Sequence, residues 1–243
     1  MKHAVKIAVA GSLLAPWTLA QAISLSDDFS LALEAGLFSD YRMRGLSQTL
    51  GDPAVQGSAT LLHSSGLYAG VWSSNVDFGG DSKTRQELDG YAGYYWQASD
   101  DISLDLAWYK YVYPKEGGLN YSEYFAELKA YGAKVGGYYS DDLYGDQSML
   151  YSYLGYGASL PAEVGLELRY GRVDYKDPVW ISASGGARDS YNEWEVKLSK
   201  NLLSLDWSLS YVDTDLSEAE CANYLGFDDL CSATLVAGVS KSF

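Results

Sequence analysis

The amino-acid sequence predicts an all-β fold, a transmembrane antiparallel β-barrel of about twelve strands with long extracellular loops and short periplasmic turns. Three observations point there. Apolar and polar residues alternate at period two in segment after segment. The connections between these segments alternate long and short. The last segment, ATLVAGVSKSF, alternates up to a terminal Phe243. Side chains of a strand point to opposite faces in turn, so each such segment has one greasy and one wet face. Heptads and long helical stripes are absent, and beyond residue 22 no apolar run is long enough to span a bilayer as a helix.

The chain opens with a segment outside this pattern. MKHAVK supplies a basic start, IAVAGSLLAPWTLA is an apolar run broken by Pro16, and Ala20-Gln21-Ala22 fits a small-residue cleavage site. Residues 1–22 therefore read as a cleaved secretory signal peptide and residues 23–243 as one barrel domain. Removing Lys2 and Lys6 with that leader leaves 15 lysines and arginines against all 32 aspartates and glutamates. Such an acidic chain argues against nucleic acid or an anionic membrane surface as partner. Tyrosine, at 22 residues against six phenylalanines, suits amphipathic rings at a water boundary.

Taken in order, SLALEAGLF sets Leu31, Leu33, Ala35 and Leu37 against Glu34 and Gly36. ELDGYAGYYW sets Leu88, Gly90, Ala92, Tyr94 and Trp96 against Glu87, Asp89, Tyr91 and Tyr95. DISLDLAWY alternates Ile102, Leu104, Leu106 and Trp108 with Ser103, Asp105 and Ala107, and EVGLELRYG alternates Val164, Leu166, Leu168 and Tyr170 with Glu163, Glu167 and Arg169. NEWEVKLSK and LSLDWSLSY continue with Trp194, Val196 and Leu198, then Leu203, Leu205, Trp207 and Leu209. The pattern blurs only around residues 131–160, where glycine and tyrosine dominate.

A soluble sandwich would bury the greasy faces in its core, whereas a membrane barrel turns them to lipid. The connections favour the barrel. Long ones fall at 39–53, 75–86, 113–121, 140–148, 175–191 and 213–232, with tight ones at HSSG, QASDD, YGAK, SLPAE and SKNLL between them. A sandwich has no reason to alternate so regularly. Charges sit at mid-strand on the face opposite Leu and Trp, as a lipid-facing wall requires. Lys110 shares the apolar parity, but near a loop end where its ammonium can snorkel. Trp96, Trp108 and Trp194 sit near strand ends on the same parity, where interface girdles belong.

Three stretches, SDYRMRGLSQT, PAVQGSATLLHSSGLYAGVWSSNVDF and the terminal VSKSF, resemble the TorF-type porins of proteobacterial outer membranes, and the likeness extends over the mature chain end to end. Met43 stands where an aromatic is expected, and Lys241 likewise in the last strand. The resemblance implies a single-chain barrel in a Gram-negative outer membrane. Its surroundings would be lipid and lipopolysaccharide, and the assembly machinery would read the strand ending in Phe243.

On the lumen parity lie Glu34, Glu87, Asp89, Asp105, Glu127, Glu167, Arg169, Glu193, Glu195 and Lys197, with Glu123, Glu163, Asp206, Lys129 and Lys134. Arg42 and Arg44 share the parity of Glu34 and Phe38 and are expected to project into the upper lumen, pairing with Glu87, Asp89 or Glu193. Two readings of that pairing stay open: a constriction that a solute feels, or plain neutralisation of lumen acids. The open lumen and the filled lumen also both remain. Cys221 and Cys231 suggest a disulfide, since an exported chain meets an oxidising compartment. Calcium or lipopolysaccharide-bridging cations at the acids around them are the lesser reading. His63 beside Ser64 and Ser65 raises hydrolysis, but it falls at a tight turn, so no enzyme and no cofactor is expected. The expected function is passive diffusion of small hydrophilic solutes with a mild cation preference. The alternative is a non-conducting structural or adhesive barrel that works through its loops.

Overall fold

The computed structural model describes residues 22–243, so the leader expected over residues 1–22 lies, but for Ala22, outside the described residues. Twelve antiparallel strands follow in chain order: β1 (Phe29–Phe38), β2 (Ala54–His63), β3 (Leu67–Asn75), β4 (Gln86–Gln97), β5 (Ile102–Val112), β6 (Tyr121–Ala130), β7 (Ala133–Leu143), β8 (Gln147–Leu160), β9 (Val164–Tyr175), β10 (Ser190–Leu202), β11 (Leu205–Thr214) and β12 (Thr234–Ser242). Each pairs with its sequence neighbours, and β12 pairs with β1 through Gly238↔Phe38 to Ser242↔Glu34, which closes the sheet. Phe243 adds a backbone bond of 2.9 Å to Leu33, and Ile23–Ser24 folds back onto β1. Closure leaves the sheet without an open edge. Among the described residues no helix is long and apolar enough to cross a membrane, which says nothing against crossing by strands.

The parities hold. Leu88, Tyr94 and Trp96 of β4 face outward and are exposed, while Glu87, Asp89, Tyr91 and Tyr95 face inward and are buried. The blurred region has a settled register too: Tyr138 faces Phe125 and Tyr151 across its two ladders. Trp96 and Trp108 are exposed on the outer face, and Trp194 lies on the same face, half-buried. Lys110 reaches neither loop nor solvent alone. It bonds Ser122 Oγ at 3.1 Å on the adjacent β6 and Asp142 at 3.5 Å on β7 beyond it, so an outward charge at the long-loop end is neutralised in place.

Two sequence expectations need correction. The connection read at 140–148 shrinks to 144–146, because Tyr144 (φ 52°) and Gly145 (φ 101°) turn the chain at once. A bulge between Ser140 and Leu143 absorbs the extra length. Glu163, counted with the lumen acids, is exposed in the turn at 161–163. The tight connections otherwise fall where expected, with Tyr131-Gly132 and Leu203-Ser204 as two-residue turns of positive φ.

The tyrosines correct a third. They do not mainly girdle the outside. Tyr68, Tyr91, Tyr109, Tyr111, Tyr138, Tyr151 and Tyr153 point inward and pack on one another, so the core of this molecule is its lumen. Three of them lie over a glycine across the ladder, Tyr68 over Gly93, Tyr91 over Gly70 and Tyr153 over Gly136: the Tyr68 ring lies where a Cβ on Gly93 would come within 2.4 Å. The expected disulfide joins Cys221 to Cys231 across the sixth long loop, which carries the one α-helix among the described residues, α1 (Glu218–Leu225).

Leu154 stands exposed on the outer face in the middle of β8. Leu154→Arg should cost about 2–4 kcal/mol of folding stability in lipid vesicles, the penalty of a midplane arginine on a barrel's outer wall. A denaturant titration in vesicles that shows no change would mean this face does not meet lipid.

Candidate functional site

The first long loop does not stand out from the barrel. It folds into it as a miniature hairpin, Arg42–Met43 against Leu46–Ser47, turned by Arg44 (φ 51°) and Gly45 (φ 86°). Position 45 must be glycine on two counts, the positive φ and the space: a Cβ there would come within 2.4 Å of Thr214 Cγ2. Tyr41, Leu46, Ser47 and Thr49 are buried with the hairpin.

The two arginines separate here. Arg42 does not pair with Glu87, Asp89 or Glu193. Its Nε donates to Asp40 at 2.5 Å, and its other nitrogens donate to the Leu230 carbonyl at 2.7 Å and Thr234 Oγ1 at 2.9 Å. Asp40 also accepts from the Ser47 and Thr49 hydroxyls. Arg42 therefore ties the first loop to the sixth at the long-loop rim, and the loop's turn carries only its neighbour onward. Arg44 enters the lumen, where its guanidinium meets Glu123 at 2.7 Å and lies 5.2 and 5.0 Å from the ring centres of Tyr138 and Tyr151. Its partner was expected on β4 or β10 but is on β6. Tyr111 donates to the same Glu123 oxygen at 2.8 Å, and Tyr191 donates to the Arg44 carbonyl at 2.9 Å.

The remaining expected residues line the same interior. Arg169 binds Glu193 at 2.9 Å and Glu195 at 3.0 Å, and Tyr151 donates to Glu193 at 2.5 Å. Lys134 pairs with Glu167 at 3.1 Å. Tyr68 donates to Asp105, Tyr153 to Glu127 and Tyr41 to Glu87. Asp89 is buried next to Glu87, Glu34 bonds Ser240, and Lys197 lies buried among Glu195, Glu167 and Glu34. Most are hydrogen-bonded or charge-paired within the wall, as burial of a charge demands, but Asp89 sits beside a second carboxylate, and Glu87 Oε2 and Asp89 Oδ1 are buried without a hydrogen-bond partner. The alternation located these residues. It missed the tyrosine donors that satisfy them, although the same parity places those tyrosines inside.

Above the hairpin the long loops enclose a vestibule of about 600 Å³, whose lining includes Met43, Arg44, Phe78, Tyr121 and Tyr224. The sixth loop forms one wall. Ser217 and Glu220 make a capping box at the start of α1, and Arg188 of the fifth loop binds Glu220 at 2.8 Å. Burial pushes the Glu220 carboxyl up, but the Ser217 N–H and hydroxyl and then the Arg188 guanidinium outweigh it and hold it below the ordinary range.

At the opposite rim, His63 Nδ1 lies 2.8 Å from Ser65 Oγ and accepts the Ser65 N–H at 3.2 Å, while its ring packs edge-on against Phe29. This is a local bond that closes the turn.

Arg44→Ala would strand a buried carboxylate at Glu123, at a cost of about 3–5 kcal/mol. Adding Glu123→Gln should recover most of that loss in denaturant titrations. A depressed carboxyl contributes stability above its unfolded pKa and loses it as pH falls through the folded one. Acidifying below about pH 4 should therefore loosen α1, read as faster proteolysis of the sixth loop while the strands stay protected.

The barrel is similar to two solved porins. The KdgM porin is 10% identical, with 87% of this chain and 99% of that chain covered at a TM-score of 0.50. The NanC porin is 11% identical, with 86% and 97% covered at 0.48. At such identity the KdgM likeness is one of fold. No curated protein sequence matches the chain. Residues 22–243 match the family described as bacterial protein of unknown function (Gcw_chp), and because that match runs the length of the barrel, the chain belongs to that family.

Proposed function

We propose that the protein is a porin-like outer-membrane channel for passive diffusion of small hydrophilic solutes, held narrow by the hairpin of its first loop. The observation that carries this reading is the position of Arg44. A barrel stabilised only by its own wall has no use for a loop in its interior. Here a loop tip reaches down between β6, β7 and β8, beneath a vestibule built by the other loops. A constriction supplied by a loop can be widened without unfolding a strand.

The resemblance of SDYRMRGLSQT and VSKSF to TorF-type porins supports the same reading, as does the shared porin fold. In this reading the chain sits in a Gram-negative outer membrane, with its outward apolar face against lipid and lipopolysaccharide. The long-loop rim is extracellular, and Phe243 serves the assembly machinery. Carboxylates outnumber ammonium and guanidinium groups on the inner wall, and rings of acid favour cations, so the channel is mildly cation-preferring. No catalysis or cofactor enters this mechanism. One observation favours a second reading, a non-conducting barrel that acts through its loops: Tyr109, Tyr138 and Tyr151 are buried at mid-lumen.

Planar-bilayer recording across a salt gradient separates the two. The channel reading expects small discrete steps with a cation-biased reversal potential, and several-fold larger steps from the Arg44→Ala/Glu123→Gln variant. Silence from both proteins, each shown to be folded, would favour the second reading.

A further inference from the structure

We propose that the vestibule above the hairpin is a binding site for a small organic cation with an aromatic or apolar body. This names a solute class for the channel and rests on that reading. At about 600 Å³ the cavity lies within the range of sites that enclose a small molecule. Its floor is the hairpin's Met43 with Tyr121 and Tyr191, and its walls include Phe78, Leu119 and Tyr224. Phe78 is braced edge-on against Tyr113 at 5.6 Å, and Tyr224 packs on the buried Trp180 at 4.3 Å, so the aromatic walls are held from behind.

The charges among this lining fix the sign of the ligand. Three carboxylates border the cavity, Asp77, Asp81 and Glu116, against one cation, Arg44. Arg44 is already bound to Glu123, and its side chain is 9% exposed. Asp77 accepts the Gly79 N–H and pairs loosely with Arg85 at 3.6 Å, and Glu116 accepts from Ser82 and Thr84, which organises the second loop. Asp81 is exposed and shows no partner among the described residues. Lys83 and Lys115, on the same loops, are exposed and stand outside the lining. An anion entering here meets carboxylates and a guanidinium already taken. A neutral apolar molecule gains the walls but nothing from the acids. An organic cation gains both, since tyrosine and phenylalanine faces attract cations and the acidic rim concentrates them at the mouth.

The test uses the full-length refolded barrel and three probes that share a benzyl group and differ in charge: benzyltrimethylammonium, benzyl alcohol and phenylacetate. Titration calorimetry should show saturable binding of the ammonium probe, weaker binding of the alcohol and none of phenylacetate. Asp81→Lys, on an exposed loop, should weaken the ammonium probe about tenfold, and Leu119→Trp should abolish its binding by filling the cavity. Equal binding of cation and alcohol, tighter binding of phenylacetate, or no saturable heat would overturn the assignment. Calorimetry needs no current. Binding by a silent barrel would leave the site standing and remove the channel, whereas conducting steps without binding or block would do the reverse.

Discussion

The ladder between β12 and β1 is the contact on which the rest of the molecule depends. In hydrocarbon an unpaired strand edge leaves backbone groups with no partner at all, so a spanning sheet must close. Once Gly238 to Ser242 lie against Phe38 to Glu34, each strand has a fixed inside and outside, and a one-residue slip anywhere would turn charges to lipid. The seam is built for that register. Phe38 folds inward over the two glycines beside it, Gly36 and Gly238, where any Cβ would strike its ring.

Closure creates a second demand, since many charges of the inner wall are buried. The chain meets it with tyrosine more than with opposite charge. Glu123, Glu193, Glu127 and Asp105 each accept a tyrosine hydroxyl, while Arg169 and Lys134 pair with carboxylates of other strands, Lys197 lies among Glu195, Glu167 and Glu34, and Arg44 of the first loop pairs with Glu123. A phenol brings a donor to the carboxylate and an apolar ring to the space between, so one residue type serves both packing and satisfaction. Arg44 completes this system from outside the wall. It settles on a carboxylate and two rings that the strands alone would leave beneath an open mouth.

Much of this was legible in the sequence. Period-two alternation gave the strands, their parity gave the lumen carboxylates, and the rhythm of connection lengths gave the two rims. The exceptions share a cause. Arg42 follows strand parity on paper, but the chain has already left the sheet at Ser39, and loop hydrogen bonds decide its direction. The fourth connection looked long because Asp141, Asp142 and Asp146 are polar, although polarity does not end a strand that rises past the barrel rim. Partners across the lumen, such as Arg44 with Glu123, depend on barrel closure in three dimensions, which no local pattern encodes.

NMR of the refolded protein in nanodiscs reads most directly whether the first-loop hairpin lies inside the barrel. A hairpin seated there should give side-chain resonances of Arg44 shifted by the Tyr138 and Tyr151 rings, with cross-peaks to both and slow exchange of the guanidinium protons. An Arg44 side chain with solvent-like shifts, rapid exchange and no contact to either ring would contradict that placement.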